Sequence, residues 1–259
     1  MVSHTLHINI KEFYIWWLIM SPKENHTGIY LLPNLFTTAS LFAAFYSIVA
    51  SMKAHYEVAV IAIFIGMIAD GLDGRVARLT NTQSAFGGQY DSLSDMVTFG
   101  VAPALLLYSW ALRHLGKLGW LAAFIYTAAV ALRLARFNVQ IDKTTDTRYF
   151  QGLACPAAAA FMSAFSWLCY KNHFNHNKWI IITTAILTVV SALLMVSNIK
   201  YYSFKDIDFK GKVPFLYLLF MVIGFVAIAA NPSMVLFIGF VLYIMSGPTR
   251  LLFLIYRRH

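Results

Sequence analysis

Charge is what this sequence has least of. Asp, Glu, Lys and Arg together make up 12% of its 259 residues, where a soluble domain carries about a quarter. That deficit excludes an ordinary soluble domain, although the length alone would accommodate one or two. Cysteine is nearly missing as well. Cys155 and Cys169 fall in apolar stretches without metal-type partners nearby, which excludes a disulfide framework and leaves them as small core residues. The first residues lack the basic start and small-residue cleavage site of a signal peptide. Internal repeats and low-complexity tracts are absent too. What is abundant is apolar: 59% of residues are hydrophobic and 16% aromatic, with a mean hydropathy of +0.65. This composition reads as an all-α, polytopic transmembrane helix bundle.

The net charge of +9 does not point to nucleic acid, because the basic residues are spread thinly between long apolar runs and form no patch. Eight spans of roughly 20 residues are expected, at 29–51, 56–75, 92–112, 118–138, 152–170, 179–199, 213–230 and 233–254. Asn231-Pro232 is the only break between the last two, which read as a tight helical hairpin. Residues 1–28 form a separate N-terminal segment: Phe13 to Met20 is too short to span, and Trp16 and Trp17 beside Lys11 and Glu12 suit the interface. Residues 29–259 then form one transmembrane domain. With the N-terminus inside, Lys and Arg divide fifteen inside to five outside, the five being Lys53, Arg113, Lys117, Lys171 and Lys178. The bias places both termini in the cytoplasm, at a plasma (inner) membrane.

Asp70 to Asp95 is the informative stretch. Only eleven acidic residues occur in the chain, and four of them, Asp70, Asp73, Asp91 and Asp95, fall here at the ends of two apolar spans. An ionised carboxylate at such a depth is costly unless it meets a cation or water. Spacings of three and four put each pair on one helix face. Oxygen-only ligands suit hard cations such as magnesium, manganese or calcium, and there is room for two, enough to clamp a diphosphate. A loop between the two helices is expected to carry Gly74, Gly87 and Gly88, leaving room for a phosphate or base near the backbone. Ala77 keeps the approach open, while Arg75 and Arg78 offer charge to phosphate.

The run Asp70-x2-Asp73-Gly74-x2-Ala77-Arg78-x8-Gly87-x3-Asp91-x3-Asp95 resembles the signature of the CDP-alcohol phosphotransferase family, with every specified position filled. The resemblance implies displacement of CMP from a CDP-linked lipid by an alcohol, with a divalent metal, Mg2+ or Mn2+, two per site, and a homodimer. It implies that Asp70, Asp73 and Asp91 bind metal and that Asp95 combines metal contact with a general-base role. Asp73, Gly74, Ala77, Arg78, Ser84 and Gly87 then match positions around the CDP-diacylglycerol, and Asn34 beside Pro33 falls where the family approaches the nucleotide.

Further segments resemble the bacterial and archaeal phosphatidylserine synthases of that family: Leu31 to Thr37, Asp91-Ser92-Leu93, Phe99 to Ala104, Arg133 to Asn138, Phe150 to Leu153 with Pro156 to Ala159, and Met195 to Ser197 with Tyr202 to Lys205. One departure is Ala154-Cys155, where that group reads Pro-Ser, a change able to shift a helix start. The implied acceptor is L-serine. Arg133 and Arg136, three apart at an inner span end, suit its carboxylate, and Asn138 can add a hydrogen bond; anchoring at lipid headgroups is the plainer use of such arginines. A phosphorylated acceptor (glycerol 3-phosphate or inositol phosphate) would also suit arginines, whereas choline would favour an aromatic cage. A cation transporter would show repeated halves and polar or broken helices near mid-membrane, whereas here the carboxylates cluster at one face and the spans have no evident repeat. His173 and His176 read as a solvated outer loop, and Lys205, Asp206, Asp208, Lys210 and Lys212 as an inner loop touching anionic headgroups.

Overall fold

The structure, a computed structural model, describes residues 31–80, 82–140, 149–174, 177–202 and 215–256. The expected interfacial segment at 1–28, His176 and the charged loop from Lys205 to Lys212 lie outside the described residues.

Helices account for nearly everything described. They are α1 (Leu31–Met52), α2 (Tyr56–Leu79), α3 (Ala85–Asp95), α4 (Ala102–Trp110), α5 (Lys117–Gln140), α6 (Cys155–Lys171), α7 (Lys178–Val196), α8 (Phe215–Ala230) and α9 (Pro232–Tyr256). A π-helical turn, Met96–Val101, joins α3 to α4 into one continuous rod, and a 3-10 turn, Leu112–Leu115, precedes α5. Counting that rod once gives the eight helical segments expected. Five segments, Pro33–Met52, Ala85–Trp110, Lys117–Val139, Lys178–Val196 and Pro232–Arg250, are long and apolar enough to cross a membrane. The chain is an integral membrane helix bundle. One addition was not expected: strands β1 (Tyr149–Gln151) and β2 (Lys200–Tyr202) pair antiparallel, with Phe150 opposite Tyr201.

Small residues let the first helices approach closely. The α1 stripe Thr37, Ser40, Ala44, Ser47 and Ser51 is buried, and α2 answers with Ala59, Ala62, Ile63, Gly66 and Ala69. A Cβ at Gly66 would lie 3.1 Å from Thr98 Cγ2 and 3.4 Å from the Ser40 carbonyl, so this glycine sets how near α2 comes to α1 and to the π turn. At the centre stands α6, apolar on every side and buried almost throughout, as expected of a helix enclosed by others. Cys155 and Cys169 are both buried and unpaired.

Several span boundaries shift. Helix α2 runs to Leu79, four residues beyond the expected 75, because no proline or further glycine lies between Gly74 and Leu79 and Thr80 closes the helix with its amide on the Val76 carbonyl. Helix α3 starts at Ala85, seven residues before the expected 92, because Ser84 caps it: its hydroxyl oxygen accepts the Gly87 amide at 3.0 Å. The span expected from 152 begins at Cys155, with Pro156 in the first turn, where a missing N–H costs nothing.

Candidate active site

These boundary shifts relocate the site. Asp70 and Asp73 lie two turns before the end of α2, and Asp91 and Asp95 lie well inside the α3–α4 rod. The expected position at helix ends is therefore corrected, as is the expected loop. Gly74 belongs to α2, Gly87 and Gly88 belong to the first turn of α3, and only residues 80–84 connect the two helices. The physical reason is the Ser84 cap together with an unbroken α2, which extend both helices past the carboxylates.

The i, i+3 and i, i+4 spacings do put each aspartate pair on one face, and the two faces meet. One carboxylate oxygen each from Asp70, Asp91 and Asp95 lies within 4.8 Å of the others. The Asp70 and Asp95 side chains interact directly. Asp73 borders the trio: its side chain meets Asp91, and its Oδ2 accepts a 2.7 Å hydrogen bond from Thr37 Oγ1 on α1. Carboxylates this close repel unless a proton or a cation lies between them. Asp91 Oδ1 and Asp95 Oδ1 are buried and have no hydrogen-bond partner. Buried acceptors are seldom left so, and an all-oxygen donor set with unspent buried oxygens fits a hard divalent cation.

Around this cluster the residues expected near a nucleotide fall into two groups. Asn34, Ser84 and Gly87 converge: a Cβ at Gly87 would lie 3.1 Å from Ser84 Oγ and 3.5 Å from Asn34 Oδ1. Gly74 and Gly88 border open space, since a Cβ at either would touch nothing within 4 Å. Arg75 and Arg78 are exposed, and Ala77 is half-buried.

Arg133 and Arg136 are brought together, with much of their hydrogen bonding spent. Arg133 Nη1 donates to the Gln151 carbonyl at 2.7 Å and the Met195 carbonyl at 3.2 Å. Arg136 Nη2 donates to Gln151 Oε1 at 2.6 Å and Asn198 Oδ1 at 2.8 Å, and its Nη1 to the Val196 carbonyl at 3.4 Å. Met195 and Val196 end α7, so the arginines satisfy carbonyls that a helix C-terminus leaves orphaned. Gly152 makes this approach possible. It holds φ at +74°, and a Cβ there would sit 2.3 Å from the Met195 carbonyl and 2.8 Å from Arg133 Nη1. The Cys155 thiol lies beside Arg133. Asn138 reaches the aspartate helix, with its Nδ2 donating to Ser92 Oγ at 3.1 Å.

Three partners have no role assigned from the sequence, although Thr37 and Gln151 lie in the segments that resemble the family. Thr37 shares a helical-period polar stripe with Ser40, Ser47 and Ser51 in an otherwise apolar span, a signal available from spacing alone. Gln151 and Asn198 carry no such signal, because their role depends on how α5, α6 and α7 come together.

Fold and site define a membrane-embedded helical enzyme built around a carboxylate cluster suited to a divalent cation. Its family is shown by comparison: the CDP-alcohol phosphatidyltransferase pattern matches residues 30–248, and the chain belongs to that family. It is 39% identical over 229 residues to a Helicobacter pylori protein named CDP-diacylglycerol–serine O-phosphatidyltransferase, covering 87% of this chain and 93% of the relative. A Mycobacterium leprae protein of the same name is 31% identical over 226 residues, covering 85% of this chain and 74% of that one. A Methanocaldococcus jannaschii protein, again so named, is 41% identical over 139 residues, which is 54% of this chain and 61% of the relative.

Proposed function

We propose that the chain transfers the phosphatidyl group of CDP-diacylglycerol to the hydroxyl of L-serine, releasing CMP and giving phosphatidylserine. The observation that carries this reading is the aspartate cluster with its unspent buried oxygens, in a chain similar along most of its length to proteins named for that reaction. Asp70, Asp73, Asp91 and Asp95 are the residues that would hold Mg2+ or Mn2+, two ions in this reading. A divalent ion bound there supplies charge to neutralise the diphosphate and stabilise CMP as it leaves.

The protein's own groups do the rest. Asp95 takes the proton of the serine hydroxyl. The serine oxygen bonds to the phosphorus that carries the diacylglycerol, the bond from that phosphorus to the bridging oxygen breaks, and CMP departs with that oxygen. A positioned carboxylate base contributes about 10²- to 10⁴-fold. Asn34, Ser84 and Gly87 border the nucleotide, with Asp73, Gly74, Ala77 and Arg78 along the diphosphate, where the open space at Gly74 leaves room. Arg133 hydrogen-bonds through Nη1, and its Nε and Nη2 are the donors this reading gives to the serine carboxylate, with Arg136 adding charge and Asn138 a hydrogen bond. Placing the site at the cytoplasmic face of the inner membrane, with both termini inside, draws on the fifteen-to-five division of basic residues. A homodimer completes the reading.

The test is CMP release from CDP-diacylglycerol by purified protein in detergent with Mg2+ or Mn2+, comparing L-serine with glycerol 3-phosphate, inositol phosphate and choline. Serine-dependent release, lost by at least about 10²-fold in Asp95→Asn, is the expected result. Release driven only by another alcohol would keep the chemistry and replace the acceptor.

A further inference from the structure

We infer that Thr37 is a positioning residue for the metal-binding carboxylates, acting on both aspartate helices at once. The inference rests on the proposed metal role of Asp70, Asp73, Asp91 and Asp95. Helix α1 packs against α2 and against α3, and Thr37 is the point on α1 where hydrogen bonds from both converge. Its hydroxyl donates to Asp73 Oδ2 at 2.7 Å on α2. Its carbonyl accepts a 3.2 Å hydrogen bond from Ser94 Oγ on α3, the residue next to Asp95. Thr37 and Asp73 are only 3% and 5% exposed, so water does not compete for this bond.

The hydroxyl has a second acceptor in reach, the Pro33 carbonyl one turn back, at 3.2 Å. The shorter bond goes to the carboxylate, and a hydrogen bond to a charged acceptor is the stronger kind. It fixes Asp73 Oδ2 against α1. That restraint explains why Asp73 borders the trio of Asp70, Asp91 and Asp95 rather than merging with it: one oxygen is held by Thr37 while the side chain keeps contact with Asp91. Partners of this kind orient metal ligands, and removing one commonly weakens metal binding by about 10- to 100-fold.

The test is Mn2+ titration of the full-length protein in detergent without substrate, with free Mn2+ read by electron paramagnetic resonance and thermal unfolding followed in parallel. Thr37→Val keeps the shape and loses the donor, so Mn2+ affinity should fall about tenfold or more. Thr37→Ala repeats the loss of the hydroxyl in a different side chain, so the result does not depend on one variant folding. Thr37→Ser restores the donor and should return the affinity to the wild-type value. Ser40→Ala breaks another α1 tie, the 3.2 Å contact with Thr98, and should lower thermal stability while leaving Mn2+ affinity alone. Wild-type affinity in both Thr37→Val and Thr37→Ala, or an equal loss in Ser40→Ala, would overturn the positioning role. Failure of the wild-type protein to bind Mn2+ is a different outcome: it removes the metal reading itself, and the inference with it.

Discussion

Two polar clusters stand at the same end of the bundle, one acidic and one basic, and they are finished differently. The aspartates bring three carboxylate oxygens within 4.8 Å of one another and leave two buried oxygens without a partner. The arginines do the reverse. Both guanidiniums donate to carbonyls or amide oxygens on β1, on the last turn of α7, and on Asn198 just beyond it. Left alone, the first cluster is a source of repulsion and the second a clamp joining α5 to β1 and to the end of α7. In a marginally stable fold, a cost of the first kind persists where function requires it. The acidic cluster is therefore where chemistry is expected, and the basic one is where chemistry and architecture share the same side chains.

Asp91→Asn should separate function from stability most sharply. Activity falls by about 10²-fold or more, as for loss of a group that contacts the reacting charge. In metal-free protein the same change removes one of the crowded like charges, so thermal unfolding should shift upward, by on the order of 1 kcal/mol. Adding Mg2+ or Mn2+ should raise the stability of the wild type and do little for the variant, because only binding to the folded state shifts the equilibrium. A variant less stable than wild type in chelator would mean that the carboxylates are not strained in the absence of metal.

The arginines should behave oppositely, with smaller effects. Arg136→Gln removes the ties to Gln151 and Asn198, both of them solvent-exposed bonds, and should lower stability by about 0.5 to 1 kcal/mol. Arg133→Lys keeps the charge but loses the fork geometry that a carboxylate prefers, so KM for serine should rise about tenfold, or about 1.4 kcal/mol, with KM for CDP-diacylglycerol unchanged. Equal rises in both constants would assign Arg133 to the clamp alone.

How much of this was legible beforehand follows from which forces are local. The aspartate pairs were readable because helical spacing fixes which residues share a face, and the spans were readable because their apolar runs are long. The helix limits around the signature were not, since hydropathy fades from Gly74 onward although the chain is helical to Leu79 and again from Ala85. The cap at Ser84 and the closing bond at Thr80 decide it, and both are single hydrogen bonds invisible to a hydropathy average. The π turn at Met96–Val101 has no composition signal of its own. It begins one residue after Asp95, the kind of place where such turns are often found. The β1–β2 ribbon and the capping of α7 by Arg133 and Arg136 depend on segments more than 40 residues apart in sequence, and only tertiary packing brings them together. Ala154-Cys155 is an intermediate case: the departure from Pro-Ser was visible, and the structure shows the helix starting at Cys155 with Pro156 in its first turn.

Ser84 offers the finest test of the comparison, because one hydroxyl is asked to do both kinds of work. Its oxygen accepts the Gly87 amide at 3.0 Å and so caps α3, while its proton remains free to meet a phosphate or base. Ser84→Ala removes both functions. Ser84→Asp keeps a capping acceptor and favours the helix N-terminus electrostatically, yet sets a negative charge against a diphosphate. If the residue only caps, alanine costs about 1 kcal/mol of stability, aspartate restores it, and KM for CDP-diacylglycerol stays level in both. If it also borders the nucleotide, as proposed, aspartate restores stability but raises KM for CDP-diacylglycerol above that of the alanine variant, because the repaired cap now repels the substrate. Thermal unfolding and KM measured on the same two preparations distinguish these outcomes, and only the second keeps Ser84 among the groups that serve the reaction.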